Sequence, residues 1–157
     1  MHTISGKWAV TFASSVNPPF YRTFERLVDW TSSSEKEIKY FCGKATYTIP
    51  FNFDGQLPGP WFLNLGKVES LAKIRLNGKE VTTLWCHPYR ANVSDYLVKG
   101  ENKLEIEMVN QWWNQLIGDE QPGATRTTTV SARLFWKASD PLVPSGLLGP
   151  VVLETME

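Results

Sequence analysis

Short segments in which apolar and polar residues alternate recur along this chain, and turn residues separate them. Alternation at every second position puts one row of side chains on each face of an extended strand, so each segment predicts a strand with one buried face. The predicted apolar rows are Trp8, Val10 and Phe12; Ala45, Tyr47, Ile49 and Phe51; Ala72, Ile74 and Leu76; Leu104, Ile106 and Met108; and Val130, Ala132, Leu134 and Trp136. The runs 61–65 and 151–153 predict two further strands.

Two glycines add local predictions. Asn77-Gly78 follows one alternating row and tolerates the positive φ angles of a tight hairpin turn, with Glu80-Val81 beginning the return strand. Gly43 lies at the start of another row, where it predicts a bulge or a close approach between strands. The Asn-Gly turn indicates antiparallel pairing.

These patterns predict an all-β fold, an antiparallel two-sheet sandwich formed by a single domain over residues 1–157. No window of eleven or more residues shows a helical apolar period, and the ten prolines and eleven glycines are spread along the chain. Longer loops predicted at 14–25, 111–128 and 137–149 fit a jelly roll. The abrupt start at Met1 leaves two interpretations open, a module cut from a longer protein or a compact natural domain.

Composition narrows the function classes. Sixteen basic and sixteen acidic residues cancel, so no basic surface for a nucleic acid is expected. No segment is long and apolar enough for a membrane span, and nothing resembles a secretory leader. Cys42 and Cys86 could pair, but two cysteines make neither a disulfide framework nor a four-ligand zinc site.

Several motifs occur in a fixed order from about residue 38 to residue 153. They are Tyr-Phe-Cys-Gly at 40–43, Leu-Gly-Lys-Val at 65–68, Leu-Asn-Gly at 76–78, Trp-Cys-His-Pro-Tyr-Arg at 85–90, Gly-Glu-Asn at 100–102, Asn-Gln-Trp-Trp-Asn-Gln at 110–115 and Pro-Ser-Gly-Leu-Leu-Gly-Pro at 144–150. In this order they resemble the β-sandwich sugar-binding domain of family 2-type glycoside hydrolases. The resemblance is strongest to the C-terminal domain of α-L-rhamnosidase-like enzymes of glycoside hydrolase family 106.

The resemblance implies a galactose-binding-like jelly roll attached to a glycosidase whose catalytic carboxylates lie in a separate barrel. It also implies a parent enzyme exported by a polysaccharide-degrading bacterium. The chain departs from the family pattern at Cys42, where Ser is usual, and at Gln115, where Arg is usual. Loss of a guanidinium removes a bidentate donor, so a contact made there in relatives is in doubt here.

Catalytic chemistry has weak support from the residues themselves. Hydrolysis of a glycoside usually needs two carboxyl groups across the scissile bond, but Glu105 and Glu107 alternate with apolar neighbours and are expected on a solvated outer face. Asp119-Glu120 reads better as a turn, a calcium-binding carbonyl loop or a contact to a partner domain. His87 and Cys86 would point to opposite sides of an extended segment, which excludes a thiolate–imidazole pair. No cofactor is expected, and a structural calcium held by backbone oxygens would leave no sequence signature.

Aromatic residues give the stronger indication. Sugars pack their C–H faces on exposed aromatic rings while polar neighbours bond their hydroxyls, and two loops combine such residues. The candidate carbohydrate-binding residues are Trp85, His87, Tyr89, Arg90, Trp112, Trp113, Asn114 and Asp119. At least one of the adjacent Trp112 and Trp113 should be exposed, because neighbouring strand residues face opposite ways.

Two hypotheses follow for this chain. The first is a non-catalytic carbohydrate-binding domain whose glycan contains rhamnose or galactose. The second is a structural domain that packs against the catalytic barrel and binds no sugar of its own. An independent glycan-active enzyme is the least favoured interpretation.

Overall fold

The computed structural model describes residues 1–127 and 135–155. The larger of its sheets has six strands in the order β3-β2-β4-β10-β7-β8. Their bounds are β2 Trp8–Ala13, β3 Phe20–Phe24, β4 Lys44–Phe53, β7 Leu71–Leu76, β8 Lys79–Leu84 and β10 Gly100–Val109. All five pairings in this sheet are antiparallel.

A second sheet has four strands in the order β1-β12-β5-β9, and a two-stranded sheet pairs β11 with β6. Their bounds are β1 His2–Thr3, β5 Trp61–Asn64, β6 Lys67–Glu69, β9 Arg90–Asn92, β11 Gly146–Gly149 and β12 Val152–Thr155. The described residues also form two short α-helices, α1 at Lys36–Lys39 and α2 at Trp113–Asp119, and a 3-10 helix at Trp30–Ser32. The predicted all-β antiparallel sandwich is confirmed.

Strand alternation builds the core. The burial pattern of β4 alternates along its length, with Ala45, Tyr47 and Ile49 inside, and β10 shows the same alternation. Its outward residues include Glu105 and Glu107, which form ion pairs with lysines on the outer face, as expected from the sequence. Each large apolar side chain buried in this way contributes about 1.5–3 kcal/mol.

An aromatic cluster fills one part of the core. The Phe12 ring lies 5.3 Å from that of Trp30 and 4.9 Å from that of Phe41, centroid to centroid, in edge-to-face contacts. Trp30 and Tyr47 have nearly parallel rings, 5° apart. The buried hydroxyl oxygen of Tyr47 accepts hydrogen bonds from Trp30 Nε1 at 2.7 Å and from the Leu147 N–H at 3.3 Å. Burial raises the pKa of this phenol well above its ordinary value.

Both glycine predictions are confirmed. Asn77 and Gly78 have φ angles of 53° and 78° in the β7–β8 turn. Gly43 has a φ angle of 147°, and a Cβ added there would lie 2.5 Å from the Ala13 carbonyl oxygen. Only glycine permits strands β2 and β4 to approach so closely at this point.

The loop predictions need correction at three places. Strand β3 lies inside the segment 14–25, because Phe20 and Phe24 pack on Phe12 of β2. Helix α2 lies inside 111–128 and strand β11 inside 137–149. The strand predicted from Val130, Ala132 and Leu134 lies outside the described residues.

The cysteines do not pair. Cys42 is buried and Cys86 is exposed, and both are free thiols. Burial raises the pKa of the Cys42 thiol to about 11. Among the described residues, no helix is long and apolar enough to cross a membrane.

Candidate functional site

Three chain segments meet at one end of the six-stranded sheet. Strand β7 begins at the end where β8 and β10 stop, as their register shows. Ser70 precedes β7, Trp85 follows β8 and Asn110 follows β10, so all three lie at the same end of the strands, which we call this edge of the sheet. We call this edge, comprising Ser70, Trp85 and residues 110–113, the tryptophan rim. Antiparallel pairing thus brings together the two aromatic loops selected from the sequence.

Large aromatic side chains are exposed at the rim. Trp85 is 76% exposed, Trp112 46% and Trp113 42%. The expectation that at least one of the adjacent tryptophans is exposed is confirmed for both. An exposed indole face can pack on another apolar surface, which makes the rim a candidate binding surface.

A shallow cleft of ≈ 90 Å³ opens at the rim. This rim cleft is lined by Glu69, Ser70, Asn110, Gln111, Trp113, Asn114 and residues 143–145. It combines an aromatic wall with carboxylate, hydroxyl and amide groups, the composition expected of a site for a polar organic ligand.

Trp113 is held in place at the cleft. Its Nε1 donates a hydrogen bond to the Pro141 carbonyl oxygen at 3.3 Å. Its ring also meets the Trp136 ring edge-to-face, with centroids 5.8 Å apart. The indole N–H is therefore satisfied within the protein, and the exposed part of the ring offers an apolar surface to a ligand.

Asn114 is a positioning residue of the cleft. It is buried, and its Nδ2 donates to the Val143 carbonyl oxygen at 2.7 Å and to Ser145 Oγ at 3.1 Å. Its Oδ1 accepts from the Val143 N–H at 2.8 Å. These bonds fix residues 143–145 against helix α2, so Asn114 builds the cleft wall with its polar groups already used.

Asp119 lies apart from the rim cleft. Its carboxylate is buried and accepts hydrogen bonds from Gln115 Nε2 at 3.1 Å and from Thr127 Oγ1 at 3.0 Å. Asp119 and Gln115 line a separate cleft with Tyr40 and Lys36. Gln115, which departs from the family pattern, thus bonds a carboxylate inside this protein.

In the aromatic loop at residues 85–90, some candidate side chains are exposed and others are buried. Tyr89 is buried, its hydroxyl donates to the Ser70 carbonyl oxygen at 2.6 Å, and burial raises its pKa. His87 is exposed and meets the Tyr89 ring edge-to-face at 4.9 Å. Tyr89 thereby ties this loop to the rim, while its own ring has no free surface for a sugar.

Arg90 is engaged on the four-stranded sheet. Its Nε lies 2.5 Å from Glu154 Oε1, and its guanidinium carbon lies 3.8 Å from the centre of the Phe62 ring. Both contacts bind the strands of that sheet to one another. Of the eight candidates, Trp113 and Asn114 line the rim cleft, and Trp85, His87 and Trp112 are exposed near it.

Glu69, Ser70 and Gln111 line the cleft but were not among the sequence candidates. They have no aromatic neighbour in sequence except Trp112, so composition gave little reason to select them. The backbone of Ser70 is unusual, with a φ angle of 110°, and only the structure reveals it. Such a conformation is unfavourable for a residue with a side chain and is more frequent at functional sites.

Within the described part of the chain, no group of three His, Cys, Asp or Glu side chains is arranged to hold a metal ion. The rim cleft has one carboxylate among its lining residues, that of Glu69. At the cleft, the Glu69 carboxylate can accept hydrogen bonds and the Trp113 ring offers an apolar wall.

The family model described as glycosyl hydrolase 2 galactose-binding domain-like matches residues 11–140. The chain belongs to this family. The fold implied by the sequence resemblance, a galactose-binding-like β-sandwich of glycoside hydrolases, is confirmed.

Relatives are much longer enzymes. The chain is 34% identical, over an alignment of 179 positions, to a Formosa agariphila protein named "Putative beta-glucuronidase", covering 98% of this chain and 15% of that protein. It superposes on a rhamnosidase from Novosphingobium sp. PP1Y with a TM-score of 0.91 and 39% identity, covering 98% of this chain and 15% of that one. The chain thus spans about 15% of the length of these two relatives.

A more distant structure shows the fold alone. The beta-D-glucuronidase from Dictyoglomus thermophilum superposes with a TM-score of 0.59 at 22% identity, covering 69% of this chain and 19% of that one. The sandwich architecture therefore recurs in glycoside hydrolases whose sequences have diverged widely.

Proposed function

We propose that this chain is a non-catalytic accessory domain of a glycoside hydrolase and that it binds carbohydrate at the tryptophan rim. The observation that carries the proposal is the rim cleft, where the fixed, half-exposed indole of Trp113 faces the same space as Glu69, Ser70 and Gln111. A sugar ring has an apolar C–H face and a polar edge of hydroxyls. The cleft offers a partner for each.

The number of carboxyl groups at the cleft supports a non-catalytic role. Hydrolysis with retention or inversion uses two carboxyl groups roughly 5–10 Å apart across the bond that breaks. Glu69 is the one acidic side chain among the described residues that line the cleft. Since the relatives are about seven times longer than the part they share with this chain, their catalytic groups have ample room elsewhere.

A shallow site supports weak, specific binding. A cleft of ≈ 90 Å³ is small for a ligand pocket, so we expect it to contact one face or edge of a sugar. We expect dissociation constants between micromolar and millimolar, and a glycan that contains rhamnose or galactose.

The test is to titrate the chain with methyl α-L-rhamnopyranoside and with methyl β-D-galactopyranoside. Calorimetry and NMR chemical-shift changes measure the dissociation constants. Trp113→Ala should weaken binding about tenfold or more, a loss of about 1.4 kcal/mol, because the stacking surface is removed. Tyr21→Ala is the matched control, an exposed aromatic residue on β3, three strands from β10. It should leave the affinity unchanged.

Two results would refute carbohydrate binding here. One is the absence of binding to these glycosides and to arrays of plant and bacterial polysaccharides. The other is equal loss of affinity in Trp113→Ala and Tyr21→Ala, which would move the contact away from the cleft.

A second candidate function is docking against a catalytic domain of the same enzyme. The observation that favours it is the number of large exposed rings, Trp85 at 76% and Phe135 at 80% beside the half-exposed Trp112 and Trp113, since grouped exposed apolar side chains mark interaction sites. Neither Trp85 nor Phe135 lines the rim cleft. The two functions can therefore occupy different parts of one surface.

A further inference from the structure

One carboxylate lines the rim cleft. Glu69 is the one charged residue among its described lining residues. The nearest cation recorded for it is Lys67 Nζ, 3.5 Å from Glu69 Oε1, on a lysine side chain that is 57% exposed and does not line the cleft. An ion pair between side chains this exposed is weak, so a ligand can take the place of the lysine at little cost.

We propose that the rim cleft selects neutral sugars and rejects uronic acids. This inference rests on the proposed carbohydrate binding and adds the chemical class of the ligand. The names of the two relatives do not decide between these classes, since one is named a putative beta-glucuronidase and the other a rhamnosidase.

The free hydrogen-bonding groups of the cleft fit hydroxyl donors. Asn110 Oδ1 accepts from the Gly43 N–H at 2.9 Å and its Nδ2 donates to the Phe41 carbonyl oxygen at 2.7 Å, so this amide is already engaged. Asn114 is engaged with residues 143–145. The groups left for a ligand are the carboxylate of Glu69, the hydroxyl of Ser70 and the amide of Gln111.

A carboxylate accepts hydrogen bonds and donates none, so Glu69 matches two neighbouring hydroxyls of a neutral sugar. A uronic acid bound in the cleft would bring its own carboxylate close to that of Glu69, and the two negative charges would repel each other. Trp113, Val143 and Pro144 add an apolar wall that suits a C–H face or a C6 methyl group and offers nothing to an anion. Charge and shape therefore favour the same ligand class.

The experiment compares methyl β-D-galactopyranoside with methyl β-D-galactopyranosiduronate, which differ only at C6. The wild-type chain should bind the neutral glycoside at least about tenfold more tightly. Added salt should narrow the gap by screening the repulsion. Glu69→Gln should raise the affinity for the uronate and reduce the ratio to about threefold or less, since the amide is neutral and can donate.

Glu101→Gln is the matched control, because it removes the same charge from an exposed glutamate at the opposite end of β10. That position is roughly 25 Å from the rim at the rise of an extended strand. The ratio should not change in this variant.

The outcomes separate the two proposals. Equal or tighter binding of the uronate by the wild-type chain overturns the inference and leaves carbohydrate binding intact. Equal shifts of the ratio in Glu69→Gln and Glu101→Gln also overturn it, because overall charge would then explain the preference. Failure of both galactosides to bind overturns the inference, while the proposed function is still decided by the rhamnoside and the polysaccharide arrays.

Discussion

The hydroxyl of Tyr47 shows what a single polar atom does in this core. It accepts from two buried donors, Trp30 Nε1 and the Leu147 N–H, and so joins β4 to residues far away in sequence. Tyr47→Phe keeps the ring and removes the acceptor, leaving both donors unpaired. We expect the free energy of unfolding to fall by about 2–4 kcal/mol, measured by urea denaturation.

Tyr21→Phe is the control for this substitution, because Tyr21 is exposed and the same oxygen is removed. Its effect should stay within about 0.5 kcal/mol. A loss below about 1 kcal/mol in Tyr47→Phe would mean that the two donors find other acceptors.

Residue type predicted burial better than it predicted function. Trp8 is buried as its strand pattern indicated. The adjacency of Trp112 and Trp113 predicted that at least one is exposed; both are, at the start of a helix rather than on a strand. Asn114 and Asp119 have the side chains a sugar site would use, yet both bond to their own chain. A sequence records a donor or an acceptor but not its partner, which the tertiary fold brings from elsewhere in the chain.

At the scale of elements, the turn after β7 depends on a buried amide. Asn102 Oδ1 accepts from Asn77 Nδ2 at 2.8 Å and from the Val98 N–H at 3.0 Å, and its Nδ2 donates to the carbonyl oxygens of Val98 and Gly100. Asn77 also accepts from the Lys103 N–H through its side chain. The β7–β8 hairpin and the start of β10 thus form one hydrogen-bonded unit.

Asn102→Ala should therefore lower the free energy of unfolding by about 3 kcal/mol, because several buried groups lose partners together. Urea denaturation measures the change, and Asn52→Ala on the neighbouring strand β4 is the matched control, since Asn52 is exposed. An equal, small effect in both variants would contradict a structural role for the Asn102 network.

Elements with one well-buried face were predictable, and those held by distant contacts were not. Strand β4 and strand β10 alternate strictly because they lie at the centre of the larger sheet. Strand β3 lies at the edge, where Arg22 interrupts its apolar row and stacks on Phe20. Helix α2 is seven residues long, too short to show a helical period, and its buried polar side chains fix it in place.

At the scale of the whole molecule, the antiparallel order of the larger sheet places both aromatic loops at one edge. Neither loop alone predicted that meeting, because the register of β7, β8 and β10 brings it about. Glu69 and Ser70 immediately precede β7 in the chain, so the same register places these cleft-lining residues beside the two loops. The sequence thus predicted the aromatic part of the surface, and the topology supplied its polar part.

The exposed rings outside the cleft test whether this surface also meets a partner domain. Trp85 is 76% exposed, so Trp85→Ser should change the free energy of unfolding of the chain by no more than about 0.5 kcal/mol. If the rim docks on a catalytic domain, the same substitution should weaken association with that domain, expressed separately, about tenfold or more, because a large buried tryptophan is a frequent hot spot. Calorimetry measures the association, and Tyr21→Ser, an exposed aromatic residue away from the rim, is the control. Unchanged affinity in Trp85→Ser would leave the rim to carbohydrate alone, whereas loss of association with sugar affinity retained would show that Trp85 and the cleft serve different ligands.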